Sequence, residues 1–151
     1  MFTLVPTQFF EPLRQRAALA EVAKVSEDVI VKHIEIPQYN AVLVYEVDED
    51  SVISIPEMAN ILQKLPDCNE YNKILCSFKE GRLFIAIAQG KTLLLANSYN
   101  APDFTTAEYY IFLTVKSQQL NPELSTICFL TPLSQEEEMS LYRYFKSVVK
   151  P

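Results

Sequence analysis

Glycine is nearly missing from this chain: two in 151 residues, Gly81 and Gly90. Both fall in candidate tight turns, so none is left to build a Gly-rich phosphate cradle. Histidine occurs once, at His33, which excludes histidine-rich metal sites and helical His pairs by counting. An ordinary strand histidine is the expected role. Cysteine is sparse as well. Cys68, Cys76 and Cys128 show no CxxC spacing and their number is odd, so buried reduced thiols are expected. No serine sits in a GxSxG turn, the setting that exposes a hydrolase nucleophile. No apolar run approaches the roughly 18 residues a membrane helix requires. The start, MFTLVPTQFF, lacks the basic stretch and long apolar core of a signal peptide. Expectation is a soluble, cytoplasmic protein with no membrane insertion.

Positive charge is in deficit. Thirteen Lys and Arg stand against 19 Asp and Glu, a formal net charge of −6. Nucleic acid is therefore not an expected partner, because phosphate-backbone binding needs clustered Lys and Arg. An acidic surface suits cationic proteins or simple solubility. What is plentiful is core material: 49% hydrophobic and 11% aromatic residues. That composition supports a packed core and argues against disorder. The length suits one domain, or two small lobes sharing a core.

Phe2–Val5 reads as an edge strand closed by Pro6. Thr7 is placed to cap a helix over about residues 8–25, with Pro12 as an alternative first position. Leu13, Ala17, Ala20 and Lys24 recur there at helical spacing. Val29–Ile36 and Ala41–Val47 read as strands, the second apolar on both faces. Pro56 to Lys64 reads as a helix. Three strands follow, Lys73–Phe78, Arg82–Ala88 and Lys91–Ser98, joined by tight turns at Glu80-Gly81 and Gln89-Gly90. A helix over about Thr106–Leu120 begins with a Thr105-x-x-Glu108 capping box and places Tyr109, Phe112, Leu113 and Leu120 on one face. Ser125–Leu130 is a strand. A last helix starts at the Ser134-x-x-Glu137 capping box and turns Leu141, Phe145 and Val148 to the core. From residue 73 the order is β-β-β-α-β-α, that of the ribonuclease H-like unit also used by actin, sugar-kinase and chaperone ATPases.

The candidate motifs are mostly explained without chemistry. Gly90-Lys91-Thr92 imitates the end of a P-loop, but position 85 is Ile85 where glycine is required, and the motif opens a strand. A ribonuclease H-type nuclease holds two metal ions with strand carboxylates. The three meander strands carry no acidic residue in their interiors. Asp48-Glu49-Asp50 has neither the spacing nor the geometry of a calcium loop, so a solvated strand end is expected. Tyr142, Tyr144 and Phe145 form an aromatic cluster near the C-terminus. Core packing and a partner-binding surface are both open for it.

Several strings resemble a family of bacterial proteins of unknown function that is assigned an actin-like ATPase fold. They are FTLVP at Phe2–Pro6, AVLVYEV at Ala41–Val47, and GKTLLLANSYNAPDFTTAEYYIFLTVKSQQLNPE. The resemblance implies an α/β fold: a ribonuclease H-like or actin-like ATPase lobe with a mixed sheet and flanking helices. Family members are usually longer, so this chain would correspond to their second part, with a shortened segment at Asp48–Lys64. Actin-like ATPases reach phosphate and metal through an acidic-glycine turn. The hairpins here offer Lys79-Glu80-Gly81 and Gln89-Gly90-Lys91, neither of them Asp-x-Gly. The expectations are therefore an N-terminal αβ segment at residues 1–72 and a ribonuclease H-like unit at 73–151, in one compact domain. The leading functional reading is a non-catalytic interaction or scaffold domain with an unidentified protein partner and no cofactor. A nucleotide-binding ATPase or kinase completed by a further lobe, and a self-associating homodimer domain, are the alternatives.

Overall fold

Pro6 has no amide proton to give to a ladder, so the strand it ends belongs at a sheet edge. Strand β1 (Phe2–Pro6) lies there, antiparallel to β3 (Ala41–Val47), which pairs on its other side with β2 (Ile30–Ile36). This three-stranded sheet has the order β1-β3-β2. The computed structural model describes residues 1–47 and 56–151. The expected solvated strand end at Asp48–Asp50 lies outside the described residues. The chain divides into two compact units, Met1–Ala59 and Asn60–Pro151.

In the first unit the long N-terminal helix read from the sequence is broken up. Short 3-10 turns at Thr7–Phe9 and Pro12–Arg14 precede a six-residue helix, α1 (Gln15–Ala20). Pro12 opens the second turn, where its missing amide is not needed. Leu13, expected in the core, is fully exposed, and the single buried residue of α1 is Leu19. Leu19 packs with Val31, Val42 and Val44, flanked by Val5, Phe10 and Val25. His33 is an exposed strand residue: its Nδ1 lies 2.7 Å from Gln15 Oε1 and its ring 4.8 Å from that of Phe10.

Helix α2 (Glu57–Lys64) crosses the division and buries Met58, Ile61 and Leu62 at helical spacing. Beyond it the second unit is a five-stranded mixed sheet in the order β6-β5-β4-β7-β8. Strands β4 (Asn72–Lys79), β5 (Arg82–Gln89) and β6 (Thr92–Asn100) form the antiparallel meander. Its first turn puts both Glu80 (φ 53°) and Gly81 (φ 72°) in the left-handed region, the conformation that matches strand twist in a two-residue hairpin. The second turn is centred on Gly90 and Lys91, one residue later than read. A Cβ on Gly90 would meet the Tyr71 ring at 3.1 Å.

Helix α3 (Phe104–Ser117) is capped by Asp103, whose carboxylate accepts the Thr106 amide at 2.8 Å. The expected Thr105 cap is thus displaced by a better acceptor two residues earlier. The stripe that meets the sheet is Ala107, Ile111 and Val115, small or β-branched side chains that let the helix approach closely. Tyr109 and Leu113, read on one face with Phe112 and Leu120, are exposed. Strand β7 (Thr126–Phe129) is parallel to β4. Helix α4 (Gln135–Tyr142) starts with the expected capping box, Ser134 and Glu137 bonding reciprocally. It ends sooner than expected. Ser147–Val149 instead forms β8, parallel to β7, with Val148 buried as a strand residue. Helices α3 and α4 cover one face of the sheet, over Ile74, Leu83, Ile85, Ile127 and Phe129.

Candidate functional site

In open α/β sheets, ligands gather beyond the carboxyl ends of the strands. In the second unit that place is set by β4, β7 and the start of α4. The Phe78 amide donates to Thr131 Oγ1 at 3.0 Å, which ties the end of β4 to the segment after β7. A cavity of about 270 Å³ opens beside it, lined by Phe129, Thr131, Leu133, Glu138 and Lys150 among others. A helix N-terminus near such a cavity is a ready anion site. Here the orphan amides of α4 are answered by Ser134 Oγ, and Glu136, Glu137 and Glu138 occupy its first turn. Three carboxylates repel the phosphate that this position would otherwise attract. Lys91, the candidate phosphate lysine, lies in the β5–β6 turn and Thr92 opens β6, so the motif lacks the helix start that a P-loop requires. Among the described residues no group of three or more His, Cys, Asp or Glu side chains could hold a metal ion.

The outer surface of α3 and α4 has a different character. Tyr109 and Leu113, four residues apart, stand on one face of α3 at 59% and 48% exposure. Met139, Tyr142 and Tyr144 are exposed on and just after α4. Phe112 joins the two elements: its ring lies 4.7 Å from Tyr144 and 5.7 Å from Phe145. Of the three expected surface aromatics, two are exposed. Phe145 is not part of that surface: it is 3% exposed and packs with Ile111 and Leu141, on the core side where its spacing from Leu141 put it. The Phe145 amide donates to the Leu141 carbonyl at 2.9 Å, a bond of helical spacing that keeps the Phe145 ring on the Leu141 side. Tyr142 is anchored through its hydroxyl, which donates to the Val148 carbonyl at 3.2 Å.

Glu108 of α3 is 8% exposed, with Ser140 and Arg143 of the α4 segment beside it. Burial raises its pKa, opposed by a hydrogen bond with Ser140 and by the charge of Arg143. One carboxyl oxygen, Oε1, has no hydrogen-bond partner.

On the opposite face of the sheet the fold makes a pairing that no local spacing announces. Leu75 and Cys128 are register partners of β4 and β7, so Cys128 points away from α3 and α4, while Cys76 points toward them. Cys68 follows the 3-10 turn Leu65–Asp67, and its thiol lines the same cavity as that of Cys128. Sixty positions separate the two in sequence (128 − 68). Only the parallel β4–β7 pairing brings them together, and the sequence holds no motif for it.

The fold has a counterpart among solved structures. The chain is similar to the crystal structure of a Bacteroides thetaiotaomicron protein described as having an actin-like ATPase fold and unknown function. The TM-score is 0.79 at 20% sequence identity over 99% of this chain. The match covers 64% of that protein, so this chain spans less than two thirds of its length. At this identity the likeness establishes the fold, an actin-like ATPase fold of mixed α/β class, and not an activity. No curated protein matches the chain in sequence. A family profile does, across residues 1–148, and on that match the chain belongs to the family described as Protein of unknown function (DUF3822).

Proposed function

We propose that this chain is a non-catalytic protein-interaction domain of the bacterial cytoplasm, built on an actin-like core whose nucleotide site is degenerate. The observation that carries the reading is the outer surface of α3 and α4, where Tyr109, Leu113, Met139, Tyr142 and Tyr144 are all exposed by 48% or more. Large exposed aromatic and aliphatic side chains in contiguous patches mark interaction surfaces. The occupant that fits is a protein segment bearing Lys or Arg beside aliphatic residues. Glu136 and Glu138 stand exposed in the first turn of α4, next to Met139, and the whole chain is acidic.

The test is a titration of isotope-labelled chain with an amphipathic Lys/Leu peptide and with its Glu/Leu charge reversal. Amide shifts confined to α3, α4 and the residues after α4 are expected for the basic peptide only. They should weaken with salt and vanish in Tyr142→Ser/Tyr144→Ser. Shifts elsewhere, or equal response to both peptides, would overturn the assignment of this face. Magnesium ATP is titrated separately by calorimetry and is expected to give no saturable heat. A saturable heat would refute the degenerate-site reading and favour a nucleotide-binding protein.

A further inference from the structure

We infer that Cys68 and Cys128 form a reversible dithiol–disulfide pair, a site of oxidation by small hydroperoxides. The inference is independent of the docking surface on α3 and α4 and rests on the other face of the sheet. The two cysteines come from separate elements, line one cavity and influence each other's ionisation. A disulfide requires their sulfurs to close to about 2.0 Å with Cβ atoms about 3.8 Å apart.

Access is provided by the fold. Both cysteines are 2% exposed, yet both line a cavity of about 320 Å³ with Glu70, Thr126 and Lys150. One water takes roughly 30 Å³ of liquid volume, so hydrogen peroxide fits this space. Cys76 is shut out: it is fully buried on the other face, where burial holds its thiol protonated.

The surroundings favour reaction at one sulfur. Lys73 donates from Nζ to the carbonyl of Cys68 and, at 2.8 Å, to that of Glu70. This fixes the segment carrying Cys68 and sets a cation near both sulfurs. Glu70 is held in turn by the Thr126 hydroxyl at 3.3 Å. Cys68 lowers the pKa of Cys128, with Lys73 acting in the same direction and Cys76 and Glu70 against it. Cys128, burial and the charge of Asp67 raise that of Cys68. Lys73 favours the thiolate, the nucleophilic form, at both sulfurs; Cys128, held in β7, serves as the attacking thiolate and Cys68, on the segment after the 3-10 turn, as the resolving thiol.

The chemistry balances with a hydroperoxide as the named oxidant. Cys128 thiolate attacks one oxygen of hydrogen peroxide and the O–O bond breaks. The departing hydroxide takes up the proton that Cys128 had released and leaves as water, and Cys128 becomes a sulfenic acid. Cys68 then attacks that sulfur, the S–O bond breaks, and the expelled hydroxide takes the Cys68 proton as a second water. Two thiols lose two electrons and two protons, and one peroxide is reduced to two waters. A dithiol reductant reverses the step by thiol–disulfide exchange. Contacts of this kind in reducing compartments are typically transient and redox-sensing.

The test uses the full chain with a small excess of hydrogen peroxide under native conditions, followed by thiol blocking, intact mass and peptide mapping. Expected is the loss of two of the three thiols, a mass lower by two hydrogens, and one linked peptide pair containing Cys68 and Cys128. Dithiothreitol should restore all three thiols, and Cys76→Ala should respond like the unaltered chain. In Cys68→Ser the product should change to a sulfenic or more oxidised Cys128. Retention of all three thiols, a link through Cys76, a link only between chains, or oxygen addition without a link in the unaltered chain would each overturn the proposal. The map of the unaltered chain decides the matter even if a variant does not fold.

Discussion

The two faces of the five-stranded sheet are built from different material. Toward α3 and α4 it presents Ile74, Leu83, Ile85, Ile87, Ile127 and Phe129, with Phe145 closing the cluster. The other face presents Leu75, Ser77, Ala86, Ala88, Thr126 and Cys128. Both sets are buried. The first face holds the fold by apolar contact, since a fully buried large side chain contributes about 1.5–3 kcal/mol. The second face is composed mainly of small or polar side chains, and at β7 it borders a cavity with two thiols and a cation nearby. One sheet thus separates packing from reactivity by the alternation of strand residues alone.

The sharpest way to break this comparison is Phe145→Ala. Phe145 touches Phe112 and is nearly fully buried, so its removal should cost about 3–5 kcal/mol by transfer and cavity terms. Tyr144→Ala, one residue earlier and half exposed, should cost about 1 kcal/mol or less. Urea midpoints of both variants measure the difference. Equal losses would mean that the Tyr144 surface is part of the core and not a free face.

The second face is probed by oxidation. A disulfide between Cys68 and Cys128 closes a long loop of the unfolded chain, and such closures typically stabilise by about 2–4 kcal/mol. The oxidised Cys76→Ala chain should therefore unfold at higher denaturant than its reduced form. An oxidised form that is less stable would show that the second face must distort to make the bond, and would weaken the case for a reversible switch.

How much of this was legible in the sequence differs by element. Strand β3 was read with its observed limits because Ala41–Val47 is apolar on both faces and bounded by turn residues. The β5 strand and its Glu80-Gly81 turn were legible for the same local reason. Strand β8 was not: Leu141, Phe145 and Val148 recur at helical spacing, and only pairing with β7 makes Ser147–Val149 extended. The face of α3 was misread because hydrophobic size was taken as the guide. Contact with a sheet selects instead for close approach, hence Ala107, Ile111 and Val115. Of the C-terminal aromatics, Tyr142 and Tyr144 are where the sequence allowed a partner face, while Phe145 is buried on the Leu141 side, as helical spacing read it. The thiol pair was beyond reach, since its two members meet through a non-local parallel pairing.

The smallest expected effect concerns Glu108, the one charged side chain buried among the described residues. Glu108 is buried on α3 beside Ser140 and Arg143, and burial raises its pKa above the ordinary 4.5. The folded state therefore holds this proton more firmly than the unfolded chain does. Its contribution to stability is fully present below pH 4.5 and is lost as pH rises through the folded-state value. Glu108→Gln keeps the shape and the bond to Ser140 but has no charge to bury. The unaltered chain should lose stability across that window while the variant does not, and at neutral pH the variant should be at least as stable. Thermal midpoints against pH measure this directly. A variant that is less stable at neutral pH would mean that Arg143 holds the carboxylate as an ion pair. The covered face would then owe part of its cohesion to charge, and the contrast between the two faces would have to be drawn by side-chain size alone.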